Sequence, residues 1–296
     1  MMRVAVAGAN SAAGRAIVAA RWHHLDLVAV VRSERAAASV RALDGAARVA
    51  CLSYEDAAGL DAALRGTSAV VHLPGVLVER AGATYEAANV GTARRVAAAA
   101  RRAGVGKIVL VSAVGADPRS ANGYWRTKGE AETVVRACGV PYTVLRVPML
   151  LGPGTEGAAA LRRRLRGATT WLVDGGRTLQ QPLDVDDLAR AAVGACDPRV
   201  ARDATLDLVG PVAVPAREIV ARAARARGRR IRVVPVPARP LRLALRLLRR
   251  AVGHGVSADV LDVLTTDTSL DPTTAARVLG IDLTPLDRMI ERSLEP

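Results

Sequence analysis

Short apolar runs alternate with longer, alanine-rich amphipathic stretches through the first half of the chain. The apolar runs have the length of strands and predict β-strands at residues 3–7, 27–32, 47–52, 69–73, 107–112 and 142–147. The stretches between them predict helices over residues 12–22, 33–43, 55–64, 80–103 and 122–138. Strands and helices that alternate in this way form βαβ units, so we expect an α/β fold with a doubly wound parallel sheet.

The regular alternation ends after Pro148. The turn signal Gly152-Pro153-Gly154 follows, and the remaining chain is more basic and mostly helical. We therefore expect a smaller, mostly helical C-terminal lid over the main sheet. The predicted division is a main domain of residues 1–150, to which residues 181–209 return, and a lid of residues 151–180 and 210–296.

The composition places the chain among folded globular proteins. Half of the 296 residues are hydrophobic, 24% are charged and none is Phe, so we expect a core of aliphatic side chains. No apolar run reaches the length of a membrane span and no signal region precedes the first strand, so we expect a cytoplasmic protein without stable membrane insertion. The three cysteines and four histidines lack metal-ligand spacing, which predicts no metal site.

A formal net charge of +14 would by itself indicate an anionic partner. All of the 42 basic residues except Lys107 and Lys128 are arginine, however, and they are spread along the whole chain. Aromatic residues that stack on bases are nearly absent, and no helix-turn-helix, RNA-recognition or zinc-finger pattern is present. We therefore expect a small-molecule substrate and no nucleic-acid partner.

The first predicted strand runs into a glycine-containing turn that opens the first helix. In this turn Gly8 would allow the chain to reverse, and Gly14 would let the helix pack closely on the strand. Amides at the start of the helix would then hold a pyrophosphate, although an ordinary βα loop has the same outline. The motif predicts a dinucleotide-binding main domain whose contact residues are Gly8, Asn10, Ser11, Ala12, Ala13 and Gly14.

The residues after the second strand bear on the choice of dinucleotide. At the position where a carboxylate would receive the ribose hydroxyls of NAD, the chain has Arg32. Arginine suits a 2′-phosphate, so NADP(H) is the predicted cofactor. Glu34 leaves NAD as an alternative cofactor. In a chain so rich in arginine, the other interpretation of Arg32 is an ordinary surface residue.

A second constellation lies on the helix predicted over residues 122–138. The spacing of four puts Tyr124 and Lys128 on one helix face, where we expect Lys128 to lower the pKa of Tyr124 for proton transfer. Ser112 ends the preceding strand and is predicted to bring a hydroxyl to the same sheet edge. Asn89 either holds a water or a carbonyl behind Lys128 or bonds locally within its own helix.

Taken together, these motifs resemble an atypical or extended short-chain dehydrogenase/reductase of the NAD(P)-dependent epimerase/dehydratase-like kind. The similarity is greatest to NmrA-like proteins and to the nucleotide-binding accessory subunit of respiratory complex I, and it extends over nearly the whole chain. Further matching segments are residues 70–75, 89–92, 111–117, 145–148, 152–154 and 182–187. The resemblance implies a Rossmann fold.

The resemblance also implies roles for particular residues. Tyr124 would be the general acid or base, and Lys128 would bind the nicotinamide ribose while it tunes that tyrosine. The residues implied to line the cofactor are Leu73, Pro74 and Gly75 after the fourth strand and Val147 and Pro148 after the sixth.

Three departures from the family pattern keep the function open. Ser11 stands at the middle glycine of the phosphate loop, Ala113 replaces the usual second hydroxyl residue, and residues 51–53 lack the acidic residue near the adenine. The leading hypothesis is an NADP(H)-dependent oxidoreductase acting on a carbonyl or alcohol, with the lid as substrate-binding region. The alternatives are a nucleotide-sugar epimerase or dehydratase and a non-catalytic dinucleotide-binding scaffold or redox-sensing regulator. The helix predicted over residues 80–103 would also suit a homodimer face.

Overall fold

The aliphatic runs form strands, and the alanine-rich stretches form helices. The computed structural model describes residues 1–43, 47–252 and 257–295. The strands are β1 (Met2–Ala7), β2 (Leu25–Val31), β3 (Arg48–Cys51), β4 (Ala69–His72), β5 (Lys107–Ala113), β6 (Tyr142–Val147), β7 (Leu150–Leu151), β8 (Thr169–Val173), β9 (Leu179–Gln180), β10 (Leu183–Asp184), β11 (Ala204–Asp207), β12 (Val214–Pro215) and β13 (Arg232–Val236). The α-helices are α1 (Ala12–Ala19), α2 (Glu34–Arg41), α3 (Ala57–Leu64), α4 (Thr92–Arg102), α5 (Gly123–Ala137), α6 (Glu156–Arg164), α7 (Val185–Gly194), α8 (Ala216–Ala226), α9 (Ala238–Val252), α10 (Ala258–Thr265), α11 (Thr273–Leu279) and α12 (Leu286–Leu294).

Seven of the strands form one parallel sheet in the order β11-β6-β5-β4-β1-β2-β3. Helices cover both faces, so the predicted doubly wound α/β fold is confirmed. The order changes direction at β1, and in such sheets ligands bind beyond the carboxyl ends of the strands at this point. The edge strand β11 was not predicted, because it is four residues long and only half-buried.

Alternating side chains of the sheet divide the main core into two layers. Val4 and Val6 face the layer that contains α1, α2, α7 and α11, whereas Ala5 and Ala7 face the layer that contains α3, α4 and α5. All four side chains are essentially inaccessible to water. A strand that is buried on both faces reads as a continuous apolar run, which is why β1 is recognisable in the sequence.

The C-terminal lid is mostly helical, as predicted. Helices α6, α8 and α12 pack around a third apolar cluster that includes Leu161, Ile219 and Met289. Two small strand pairs accompany them, parallel β8–β13 and antiparallel β9–β12. None of the helices within the described ranges is both long and apolar enough to cross a membrane. The boundaries of the two predicted domains stay a prediction.

The helix predicted over residues 80–103 begins later than expected. Arg80 and Ala83 exchange backbone hydrogen bonds in a tight turn, and Gly82 has φ +76°, which ends any helical path there. Thr84 accepts a hydrogen bond from the Ala87 amide, so it is the N-cap that the alanine-rich pattern obscured. Residues Glu86–Gly91 then form wide π-type turns that lead into α4.

His72 at the end of β4 is a buried histidine without full hydrogen bonding. Its side chain is 1% exposed, its Nε2 lies 3.5 Å from Thr92 Oγ1, and its Nδ1 has no partner among the described residues. Burial and, secondarily, the charge of Lys128 lower the pKa of His72 to about 3. The imidazole is therefore neutral at pH 7.

His72 should make the fold sensitive to acid. Because its pKa is lower in the folded protein than in the unfolded chain, its stabilising contribution is complete above pH 6.5. This contribution is lost as the pH falls towards 3, by about 1.4 kcal/mol per pH unit. We expect the free energy of unfolding of His72→Leu to fall less steeply between pH 6.5 and 4.5, as measured by urea titration. His23→Gln, at an exposed position, is the control, and parallel pH profiles for wild type and His72→Leu would contradict the assignment.

Candidate functional site

The turn between β1 and α1 brings backbone segments closer than side chains would permit. A Cβ added to Gly14 would lie 2.6 Å from Ala9 Cα, and one added to Gly8, whose φ is +79°, would lie 3.3 Å from the Pro74 ring. Ser11 is tolerated because it has ordinary extended dihedral angles and caps α1, with its Oγ accepting a hydrogen bond from the Gly14 amide at 3.1 Å. The serine in place of glycine therefore adds no backbone strain.

The amino end of α1 offers free donors beside this turn. The amides of Ala12 and Ala13 are in the first turn of the helix, where no intrahelical acceptor exists. Asn10 is exposed next to them. From the other side, a Cβ on Gly154 would come within 4.0 Å of Ala12 Cβ, so the turn after β7 faces the helix start. The glycine cradle and the free amides fit a dinucleotide pyrophosphate.

The segment after β4 is fastened to α5 by Asn89. Asn89 is 1% exposed, its Oδ1 accepts the Val76 amide at 3.0 Å, and its Nδ2 donates to Thr127 Oγ1 at 3.0 Å. A Cβ on Gly75 would lie 2.9 Å from Asn89 Oδ1 and 3.0 Å from Lys128 Nζ. Asn89 thus makes long-range bonds instead of the local bonds of a helix asparagine, and the predicted residues Gly75 and Lys128 do come together.

Lys128 is a buried cation on α5. It is 7% exposed, and its Nζ donates to the Val111 carbonyl of β5 at 3.1 Å. Burial lowers the pKa of Lys128 to about 8, and the charge of Glu132 works in the opposite direction. The side chain is therefore mostly protonated at pH 7, with one hydrogen bond to the sheet and its ammonium beside Gly75.

Tyr124 lies in the first turn of α5, which begins there because Asn122 caps it. The Asn122 Oδ1 accepts the amides of Tyr124 and Trp125 at 3.1 and 3.2 Å. The Tyr124 ring is half-buried and lies 6.0 Å, centroid to centroid, from the ring of Tyr85. Burial, with a smaller effect from Tyr85, raises the pKa of Tyr124. The expected lowering by Lys128 is not seen, because burial and Tyr85 both raise this pKa.

Ser112 belongs to a hydrogen-bonded cluster around Glu132 and not to the surroundings of Tyr124. Its hydroxyl donates to Glu132 Oε1 at 2.6 Å, and it is 3% exposed. Glu132 lies eight residues after Tyr124 on the same helix, roughly 12 Å along the axis. Ser112 faces α5, as alternate residues of β5 do, but its hydroxyl is bonded to Glu132, two helical turns beyond Tyr124.

The buried carboxylate of Glu132 was not anticipated from the sequence. Its side chain is fully buried, and it accepts hydrogen bonds from Arg146 at 2.9 and 2.7 Å and from Arg136 at 2.8 Å. Burial alone would raise the pKa of Glu132, but the hydrogen bonds from Arg146 and Ser112 outweigh it and lower the pKa. Arg136 and Arg146 lie 4 and 14 residues after Glu132, and this spacing forms no recognisable sequence motif.

The remaining predicted residues lie along the same edge of the sheet. Leu73 donates its amide to the Ala7 carbonyl at 3.1 Å. The Val147 carbonyl accepts the Val114 amide at 3.0 Å, and Pro148 follows it, half-buried. Arg32 is exposed directly after β2. The structure thus distributes the predicted cofactor contacts over the ends of neighbouring strands.

Comparison with known proteins points to a dinucleotide. A family model described as NAD(P)H-binding matches residues 8–195. The chain is 35% identical over 105 residues, 33% of its length, to the mitochondrial protein FMP52 of Lodderomyces elongisporus. It is 32% identical over 187 residues, 61% of its length, to (4-alkanoyl-5-oxo-2,5-dihydrofuran-3-yl)methyl phosphate reductase of Streptomyces griseus. The matches span only 42% and 59% of these two relatives.

The fold is also that of a solved enzyme structure. The Citrobacter sp. triphenylmethane reductase complexed with NADP(H) superposes with a TM-score of 0.76 at 20% identity, covering 98% of this chain and 100% of that one. At this identity the likeness shows the fold alone. Because FMP52 is named as mitochondrial, the expected cytoplasmic location stays a prediction.

The contact between Gly14 and Ala9 should be intolerant of a methyl group. We expect Gly14→Ala to lower the free energy of unfolding by about 1–3 kcal/mol, because the loop must move away from the helix, and to weaken dinucleotide binding. The matched control is Gly194→Ala, where the added Cβ would meet Leu279 O at an ordinary 3.5 Å. Urea unfolding and NADPH titration measure both effects, and equal behaviour of the two variants would count against the tight cradle.

Proposed function

Because the chain belongs to the NAD(P)H-binding family, we propose that it is an NADP(H)-preferring oxidoreductase that reduces a carbonyl of a small molecule or oxidises the matching alcohol. The observation that carries this proposal is the meeting of Gly75, Asn89 and Lys128 at the edge of the sheet, with Tyr124 one helical turn from the lysine.

The chain's own groups would hold the cofactor along the sheet edge. The amides of Ala12 and Ala13 would receive the pyrophosphate, and Lys128 would bond to the nicotinamide ribose beside Gly75. The reduced cofactor supplies a hydride when bound. Asn89 keeps the segment after β4 in place, because it ties the Val76 amide to Thr127 of α5.

Tyr124 acts as the proton donor in this mechanism. Its raised pKa keeps the phenol neutral at pH 7, so it can give a proton to a carbonyl oxygen, which is the direction of reduction. The protonated Lys128, one helical turn away, would hold the nicotinamide ribose beside the tyrosine. No hydroxyl from Ser112 takes part, since that group is bonded to Glu132.

The nucleotide-sugar alternative is less well supported. It would use the arginine-rich segment of α6 to bind a second diphosphate. Arg162, however, donates to the carbonyls of Ser293 at 2.7 Å and Glu295 at 3.2 Å, and so fastens the end of α12 to α6. The S. griseus relative is named as a reductase, which also favours reduction here. A non-catalytic scaffold would instead bind NADPH without turning over a carbonyl substrate.

Replacement of Tyr124 tests the catalytic assignment. We expect Tyr124→Phe to lower turnover of an accepted carbonyl substrate by about 100-fold or more, because the proton donor is lost, while NADPH affinity stays the same. Tyr142→Phe, at the amino end of β6, is the control. Activity is followed by NADPH absorbance and binding by calorimetry. Undiminished turnover would remove Tyr124 from the mechanism, and a chain that binds NADPH but turns over no carbonyl compound would favour the scaffold.

Replacement of Arg32 tests the preference for NADP(H). A charged hydrogen bond to a phosphate contributes about 1.5–3 kcal/mol to binding. Arg32→Ala should therefore lower the affinity for NADPH by about 10-fold or more and leave the affinity for NADH nearly unchanged. Arg35→Ala removes another exposed arginine three residues further on and should change the affinity for neither nucleotide. Equal losses for both nucleotides would defeat the assignment to the 2′-phosphate.

A further inference from the structure

Asn122 holds two helices with one side chain. Its Oδ1 caps α5 by accepting the amides of Tyr124 and Trp125. Its Nδ2 donates to the carbonyl of Asp259, the second residue of α10, at 3.0 Å. The residue is 7% exposed, so both sets of bonds are shielded from water. A helix cap needs only the acceptor atom, and the bond from the nitrogen to another helix is therefore a second role.

The backbone beside this side chain is closely packed. A Cβ added to Gly123 would lie 3.2 Å from Asp259 Oδ2 and 3.3 Å from Cδ2 of Tyr85. The Tyr85 ring is itself fixed, because the residue is 4% exposed and its hydroxyl donates to the Leu77 carbonyl at 2.8 Å. The start of α5, the start of α10 and the segment after β4 thus meet directly next to Tyr124.

Helix α10 connects this meeting point to the C-terminal lid. Arg242 of α9 donates from Nε to Asp262 of α10 at 2.9 Å. Helix α9 in turn follows β13, which pairs with β8, and the Ala238 amide at its start donates to Asp174 after β8 at 2.9 Å. The Asn122 amide is therefore the point at which this part of the lid bonds to the start of α5.

We propose that Asn122 is a positioning residue that couples the lid to the proton donor. Its oxygen fixes the backbone of Tyr124, and its nitrogen keeps α10 in place as the wall of the substrate site beside that tyrosine. The inference rests on the proposed function of Tyr124. A carbonyl compound that receives a proton from Tyr124 must lie beside the start of α5, where α10 also begins. The bond to α10 therefore affects how tightly the substrate is held, whereas the cap affects the proton transfer itself.

Asn122→Ser separates the two roles. Serine is about as good a helix cap as asparagine, but it has no amide nitrogen to donate to α10. We expect the α10 amides of this variant to exchange with deuterium about 5-fold faster than in the wild type, because one hydrogen bond to the helix is lost. The amides at the start of α5 should exchange at the wild-type rate. Asn122→Ala loses both bonds, so both regions should exchange faster.

Steady-state kinetics provide the functional readout. For an accepted carbonyl substrate, we expect Asn122→Ser to raise KM about 5-fold and to change kcat by less than about 2-fold, because only substrate binding is weakened. The affinity for NADPH, measured by calorimetry, should stay the same. Asn122→Ala should also lower kcat, since the turn that carries Tyr124 loses its cap.

Asp56→Ser is the matched control. Asp56 is exposed and caps α3 by accepting the Gly59 amide at 2.9 Å. Its replacement by serine changes a helix cap far along the chain from α5 and α10. We expect this variant to leave the exchange of the α10 amides and the KM of the substrate at their wild-type values.

The outcomes are distinguishable. Faster exchange confined to α10, together with a raised KM in Asn122→Ser, supports the inference. Unchanged α10 exchange, an unchanged KM, or the same effects in Asp56→Ser would overturn the coupling and leave the proposed function standing. A wild type that binds NADPH but reduces no carbonyl compound would overturn the proposed function and, with it, the coupling to a proton donor, even where hydrogen exchange shows the bond between the two helices.

Discussion

A carboxylate without access to water determines where helix α5 lies. Glu132 accepts hydrogen bonds from Arg146 of β6 and from Ser112 of β5, and Arg136 links the same group to Thr205 of β11 at 2.9 Å. Removing one partner from such a group would leave a buried charge uncompensated, so the helix cannot slide along or rotate on the sheet without a large loss of free energy. The proposed reactive groups of α5, Tyr124 and Lys128, inherit their positions from this anchor.

The carboxyl edge of the sheet combines such anchored side chains with very close backbone contacts. Lys128 lies one turn from Glu132 and bonds to the Val111 carbonyl, and Asn89 connects α5 to the segment after β4. At Gly14 the backbone packs against Ala9 with no room for a Cβ. The site is thus assembled from rigid elements, and loops contribute mainly amides. This arrangement would hold the proposed catalytic groups in place before any ligand arrives.

The sequence predicted what depends on local pattern. Buried strands and the glycine turn were found because periodicity and spacing encode them, whereas only the family resemblance connected Gly75 and Lys128 with one cofactor. Tertiary contacts decide the rest: Ser112 bonds to Glu132, and Asn89, for which the sequence left a local and a longer-range role open, bonds across elements. The direction in which the pKa of Tyr124 shifts also depends on burial, and the sequence spacing of Tyr124 and Lys128 does not reveal burial.

The attachment of Lys107 has a consequence for how the chain folds as it is synthesised. This fully buried residue at the start of β5 donates to the carbonyl of Asp197 at 3.0 Å and to that of Val200, both just beyond the C-terminal end of α7. On the ribosome the first six sheet strands emerge well before these acceptors. Until residue 200 is available the ammonium must remain hydrated, and until β11 is available β6 must stay an open edge. The nascent domain would therefore be exposed to wrong strand pairing through that interval.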